Sequence, residues 1–172
     1  MALALGDRVR TATEGAVDQT AAAPAALVAL REFLGGRSVD DLRRVVGLSP
    51  SGAVRLVDRL VDAGLVERGA GPDRRTVAVV LTAAGDRAAR RVQAARAAAL
   101  VDLVAELTSE ERTALTRVSE RLLAIVARTR LDERAAGAVP PGGWMCRLCD
   151  QVACGRPVGE CPAAQALSLI HI

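Results

Sequence analysis

The four cysteines of the chain lie close together near its C-terminal end, in the pattern C-x2-C-x4-C-x6-C. They are Cys146, Cys149, Cys154 and Cys161. Two intervening residues allow the first pair of sulfurs to bind one ion, and the glycines between the last two cysteines let the chain turn back. The pattern predicts one metal centre, with tetrahedral zinc preferred to an iron–sulfur cluster and a metal-free dithiol switch as the third alternative.

A second group of residues, in the middle of the chain, has the chemistry to bind nucleic acid. Ser51 and Gly52 open a predicted helix and let its first turn approach base edges, and Arg55 behind them can reach guanine or a phosphate. Arg74 and Arg75 stand at the tip of a predicted hairpin, where we expect them in the minor groove or at the adjacent phosphates. These five are the candidate DNA-binding residues.

Two neighbouring charges have alternative roles. Arg59, on the same predicted helix, either contacts a base or pairs with Asp62 three residues further on. Asp73, beside the hairpin arginines, is expected to brace the hairpin by pairing with an arginine, because a phosphate repels a carboxylate.

The elements that position these side chains are two short helices with a tight turn between them. The second helix has Ser49 as its N-cap, a proline at its first position and Gly64 as its left-handed stop. Its apolar residues recur at i, i+3, i+4 and i+7 and predict one buried stripe: Ala53, Leu56, Val57 and Leu60. The first helix begins at Ser38, which forms a shortened capping box with Asp41, and residues 47–49 form the turn.

A β-hairpin is predicted directly after these helices. Residues 65–68 read as a short strand, residues 69–73 are rich in turn-forming types, and residues 76–81 are a β-branched run. A helix-turn-helix followed by an arginine-tipped hairpin is the layout of a winged helix.

The run LSPSGAVRLVDRLVDAGLVERGAGPDRRTVAVVLTAAG, Leu48 to Gly85, resembles the core of the multiple antibiotic resistance regulator (MarR) family. The matching features are the segment 64–68 after the recognition helix, the run 73–75 in the wing, and the exit 81–85 into a long helix. A looser likeness covers Leu3 to Thr129. The resemblance implies a dimeric winged-helix transcription factor, and family members commonly bind small effectors between the dimer helices and the DNA-reading part.

Long helices are predicted on both sides of this reading head, which we define as residues 38–82. Two precede it, over 3–19 and 20–34, and two follow it, over 82–107 and from 108 onward. Thr82 is the predicted N-cap of the third helix, and Thr108 with Glu111 is a capping box that opens the fourth. The last has apolar residues that one helix cannot bury alone, Leu115, Val118, Leu122, Ile125 and Val126. The predicted fold is mainly α with a small β-hairpin wing, a winged helix-turn-helix flanked by long dimerisation helices. The predicted homodimer spans residues 1–130 and places two recognition helices one DNA turn apart on a palindromic site.

The C-terminal part is predicted to be separate. Residues 131–143 read as a proline- and glycine-rich linker and residues 144–166 as the four-cysteine tail. Trp144 is expected to cover the metal site or to pack on the dimer helices. Residues 167–172, LSLIHI, are expected to be a non-native sequence scar, because two of three isoleucines and the only histidine lie there and the run matches a translated sequencing-library transposon end.

Composition narrows the classes of function. The chain has no tyrosine, no phosphate-binding glycine loop, and only one histidine, which lies in the C-terminal run expected to be a scar. An enzyme is therefore not expected. A net charge of +3 permits nucleic-acid binding, and the lack of a signal peptide or membrane span favours a cytoplasmic protein with reduced thiols. The sequence predicts a DNA-binding transcriptional regulator, a dimeric repressor of unknown effector. The alternative is a metal- or electron-carrying protein that uses the winged helix as a protein-docking scaffold.

Overall fold

The computed structural model describes residues 2–71, 77–137 and 142–168, without the side chains of the last two. The chain divides into two compact units. The first consists of Met1–Leu100 with Gly142–Cys149, and the second of Val101–Pro141 with Asp150–Ile172. Within the described residues no helix is both long and apolar enough to cross a membrane.

The first unit is a helical domain with a small sheet. Its elements are α1 (Ala2–Gly15), α2 (Ala23–Glu32), β1 (Arg37–Ser38), α3 (Val39–Val46), α4 (Pro50–Asp62), β2 (Val66–Ala70), β3 (Val77–Leu81) and the start of α5 (Ala83–Ala105). Helix α2 is central, because every residue from Ala23 to Leu30 is buried. Around it pack the apolar faces of α3 and α4, with Leu42, Leu56 and Leu60 fully buried. The core is therefore aliphatic, as the near absence of aromatic residues requires.

Local capping signals explain where α3 and α4 begin and end. The Ser38 side chain accepts from the Asp41 N–H at 3.1 Å and the Asp41 carboxylate accepts from the Ser38 N–H, so the predicted capping box is confirmed. Gly47 ends α3 in the left-handed region, at φ +73°. Ser49 then caps α4 by accepting from the Gly52 N–H at 3.1 Å.

The three strands form one antiparallel sheet in the order β1-β3-β2. The hairpin pairs Val66 with Leu81 and Ala70 with Val77, and Arg37 of β1 pairs with Val79. The sequence did not predict β1, whose two residues are too short to leave a pattern. Its pairing makes β3 the central strand of the sheet.

The hairpin is fixed to the helices on both sides. The Thr82 hydroxyl donates to the Gly64 carbonyl at 2.7 Å and accepts from the Gly85 N–H at 3.0 Å, which also caps α5 as predicted. A Cβ at Gly85 would lie 1.9 Å from the Leu65 carbonyl oxygen, so only glycine fits there. The start of α5 therefore lies directly against the base of the wing.

The second unit contains α6 (Ser109–Ala135) and α7 (Pro162–Ser168), and α7 packs on α6. Thr108 and Glu111 form the predicted capping box. The predicted linker begins too early, because α6 continues to Ala135 instead of ending near residue 130; the residues there are good helix formers. Apolar side chains of α6 remain exposed: Leu115, Val118, Leu122, Ile125 and Val126.

Residues Gly142–Cys149, which we call the strap, belong to the first unit although the sequence assigned residues 144–149 to a separate tail. The Trp144 N–H donates to the Val45 carbonyl at 2.8 Å, at the C-terminal end of α3. The Trp144 ring stacks on Phe33, with centroids 5.9 Å apart and planes 5° from parallel. Trp144 thus packs against the helix-turn-helix.

The closest approach of the strap is between two backbones. A Cβ at Gly143 would lie 2.3 Å from the Val45 carbonyl oxygen, and a Cβ at Gly47 would lie 2.5 Å from the Gly143 nitrogen. At this point the strap and the turn of the helix-turn-helix can approach so closely only because Gly143 and Gly47 have no side chains.

Candidate nucleic-acid interface

The exposed face of α4 carries the residues that can reach DNA. Ser51, Val54, Arg55 and Asp58 follow one another at i, i+3, i+4 and i+7, so they share one stripe. This stripe lies opposite the buried residues of the same helix, which anchor it to the core. Ser51 and Arg55 are exposed, as the sequence predicted. Gly52 is half-buried, and its N–H serves the N-terminal cap.

Val54 was absent from the sequence-derived candidates, yet its side chain is 48% exposed on this face. The signal was present in the sequence, because Val54 lies outside the buried i, i+3, i+4, i+7 stripe and three residues after Ser51. An apolar side chain has no group that can bond to a base edge or a phosphate, so its residue type alone does not indicate a DNA contact.

The arginines of α4 are not neutralised within the described part of the chain. Arg55 and Arg59 are exposed and form neither an ion pair nor a side-chain hydrogen bond there. In particular, the alternative pairing of Arg59 with Asp62 is not formed. Both guanidinium groups therefore keep their donors available for an anionic partner.

Asp58, the acidic residue of this stripe, forms an ion pair, in contrast to the two arginines. Arg68 of β2 donates to the Asp58 carboxylate, which joins the base of the wing to the middle of α4. This pair offsets the one negative charge between Arg55 and Arg59 on the helix. The predicted tip residues Asp73, Arg74 and Arg75 lie outside the described residues.

A cavity of about 600 Å³ in the first unit is lined by α1, α2, α5 and the strap. Its apolar lining includes Leu5, Val9, Pro24, Val46, Leu100 and Leu148. Three arginines border it. Arg10 pairs with Asp7 at 2.6 Å and Arg147 donates to the Trp144 carbonyl at 2.8 Å, whereas Arg96 has no ion-pair partner among the described residues.

None of the four cysteines forms a disulfide within the described residues, and they are divided between the two units. In the strap, Cys146 lies in a turn of 3₁₀ helix and its carbonyl accepts from the Cys149 N–H at 3.0 Å. In the second unit, the Cys154 thiol donates to the Gln151 carbonyl at 3.5 Å, and Cys161 is buried just before α7. Across the described residues, no group of three or more acidic, histidine or cysteine side chains is arranged to hold a metal. The four-cysteine metal site stays a prediction.

Comparison with known proteins relates the reading head to one family. The sequence profile of the MarR family matches residues 19–76, from the segment after α1 into the hairpin. Over those residues the chain is similar to the MarR family. No curated protein sequence matches the chain significantly.

Solved structures show the same MarR winged-helix fold over most of their own length. The YusO protein of Bacillus subtilis has a TM-score of 0.62 at 25% identity, covering 70% of this chain and 84% of that one. A MarR family protein of Mycobacterium tuberculosis in complex with salicylic acid has a TM-score of 0.52 at 27% identity, covering 70% and 91%. CouR of Rhodococcus jostii, bound to p-coumaroyl-CoA, has a TM-score of 0.55 at 27% identity, covering 70% and 85%.

Proposed function

We propose that the chain is a transcriptional repressor that binds a palindromic duplex-DNA operator as a homodimer. The observation that carries this proposal is the charge arrangement on α4. Arg55 and Arg59 are exposed and without partners among the described residues, while Arg68 neutralises the Asp58 carboxylate between them. A helix face with free guanidinium groups and a small first turn suits the major groove.

The exposed apolar side chains of α6 support the dimer. Val118 and Leu122 are 50% and 57% exposed, on a helix whose apolar stripe continues for three turns. A contiguous apolar surface of this kind marks a protein interface. A second copy of the same helix would cover it symmetrically, and two-fold symmetry then presents two recognition helices to one palindrome.

Selection from a random duplex library tests the proposal. The expected product is a palindromic sequence whose half-site centres are about one helical turn apart, bound by two chains. Arg74→Ala and Arg75→Ala, at the tip that the sequence predicts for the wing, should each lower the salt slope of binding by about one unit per lost phosphate contact. Recovery of no enriched sequence, or of a monomer on the DNA, contradicts the proposal.

The cavity suits a small organic anion with an apolar body as the effector. Most of its lining is aliphatic, and Arg96 provides a cation that no described carboxylate occupies. Salicylic acid, the compound in the complex of a similar protein, is the probe of choice. Isothermal titration should show binding that Arg96→Ala weakens at least tenfold and Arg117→Ala, on α6, leaves unchanged. If both variants bind salicylic acid equally well, the anion binds at a site other than this cavity.

The cysteines provide a further part of the proposal, argued from their spacing and from the absence of a disulfide among them. Cys146, Cys149, Cys154 and Cys161 would bind one zinc ion per chain, or an iron–sulfur cluster as the alternative. Metal analysis and a visible spectrum of anaerobically purified protein distinguish a colourless zinc protein from a brown cluster protein. Replacing any one of the four cysteines with serine should abolish stoichiometric metal binding. Metal-free protein with four reactive thiols would exclude the site.

Salt-dependent DNA binding also separates the repressor from the alternative function, a metal- or electron-carrying protein that docks to other proteins through the winged helix. A regulator loses DNA affinity steeply with salt, because bound phosphates release counterions. A carrier protein of the alternative kind is expected to show no salt-dependent DNA affinity.

A further inference from the structure

The recognition face of α4 contains one apolar side chain that the fold does not use. Val54 is 48% exposed, whereas the apolar residues Ala53, Leu56 and Val57 around it in sequence are fully buried. Single exposed apolar residues are common, so exposure alone carries no meaning. What distinguishes Val54 is its face, which it shares with Ser51 and Arg55.

Helix stability does not account for a valine at this position. A β-branched side chain loses χ1 freedom in a helix, and alanine or arginine would be better helix formers at an exposed site. Val54 also contributes nothing to the buried stripe that anchors α4. Its two methyl groups therefore point outward from the surface where α4 would meet DNA.

The chemistry of the major groove identifies what such a side chain fits. Thymine is the one base that presents a methyl group there, while cytosine presents an amino donor and the purines present polar edges. A valine has no hydrogen-bonding group, so burying it against a polar edge would leave that edge unsatisfied. Burying the valine against the methyl group of thymine leaves no polar group unsatisfied.

We propose that Val54 contacts the C5-methyl group of one thymine in each half-site, beside the base pair contacted by Arg55, and so determines specificity at that position. This inference rests on the proposed function, in which α4 lies in the major groove. It assigns a base to a residue, which the DNA-binding proposal by itself does not.

Deoxyuridine substitution tests the contact directly, because it removes the methyl group and leaves base pairing intact. Each thymine of the selected operator is replaced in turn, and dissociation constants are measured for the full chain and for Val54→Ala. For the unsubstituted chain, one thymine per half-site should weaken binding about fourfold when demethylated, the factor that one buried methyl group corresponds to. For Val54→Ala, the same replacement should have no effect.

Arg55→Ala serves as the matched control on the same helix. It should lose affinity while keeping the sensitivity to the demethylated thymine, because it leaves Val54 in place. Val54→Ala keeps a good helix former at an exposed position, so it should fold as the unsubstituted chain does. Circular dichroism checks this.

Two results overturn the inference. In the first, a specific operator is found but no thymine shows a loss that depends on Val54, which refutes the contact and leaves the DNA-binding proposal standing. In the second, selection gives no operator at all, which refutes both.

Discussion

Docking of the strap onto the helix-turn-helix can be tested with two neighbouring glycines. Gly142 and Gly143 both have left-handed backbones, at φ +78° and +73°. A Cβ at Gly142 would meet nothing within 4 Å, whereas at Gly143 it would lie 2.3 Å from the Val45 carbonyl oxygen. Alanine at either position pays the same left-handed strain, about 1–2 kcal/mol. The difference between the two variants therefore isolates the close approach.

The expected difference follows from what the strap loses when it cannot dock. The Trp144 N–H bond to Val45 contributes about 1 kcal/mol, and the stacked pair of Trp144 with Phe33 contributes about 1 kcal/mol beyond its buried area. We therefore expect Gly143→Ala to lower the free energy of unfolding by about 2–3 kcal/mol more than Gly142→Ala.

Urea unfolding followed by circular dichroism gives the free energies, and fluorescence reports the strap itself. Trp144 is the only tryptophan and the chain has no tyrosine, so emission comes from the strap alone. The emission maximum should move to longer wavelength in Gly143→Ala and stay in place in Gly142→Ala. Equal stabilities together with equal emission maxima would show that the close approach at Gly143 does not hold the strap in place.

Three further predictions concern the supporting structure. Hydrogen bonds from Thr108, first from its backbone N–H, hold the pKa of Glu111 below its usual value near 4.5. The ionised carboxylate therefore stabilises the fold fully above that value, and this stabilisation is lost as the pH falls through the lowered pKa. Glu111→Gln should make the free energy of unfolding less dependent on pH in this acid range. Gly85→Ala, which meets the Leu65 carbonyl, should destabilise the first unit by several kcal/mol, measured by thermal unfolding. Leu122→Glu should convert the proposed dimer to a monomer in analytical ultracentrifugation; a dimer that Leu122→Glu leaves unchanged would place the interface elsewhere.

The helices could be predicted because their signals are local. The capping boxes at Ser38 and Thr108 and the cap at Ser49 each involve residues three positions apart, and all three form as predicted. The fold class follows from the same signals, since the apolar stripe of α4 fixes which face is buried. Arg55 is exposed for the same reason.

Features that depend on distant contacts could not be predicted. Gly143 reads as part of a linker by composition, because nothing in the sequence shows that its backbone approaches Gly47 almost a hundred residues earlier. Trp144 was assigned to the tail for the same reason. Strand β1 is too short to have a period. The exposure of Val54 does follow from the apolar stripe of α4, but an apolar side chain does not by itself indicate a DNA contact.

The dependence of operator affinity on salt tests whether α4 recognises DNA. A fluorescence-anisotropy titration from low to moderate salt compares the full chain with Arg55→Ala, Arg59→Ala and the control Arg117→Ala, which removes the same charge from α6. We expect a steep loss of affinity with salt for the full chain and for the control. We expect weaker binding for the two α4 variants, by about 1–3 kcal/mol where a bidentate base contact is lost. Binding that does not depend on salt, or that all four proteins share equally, would contradict DNA recognition by α4.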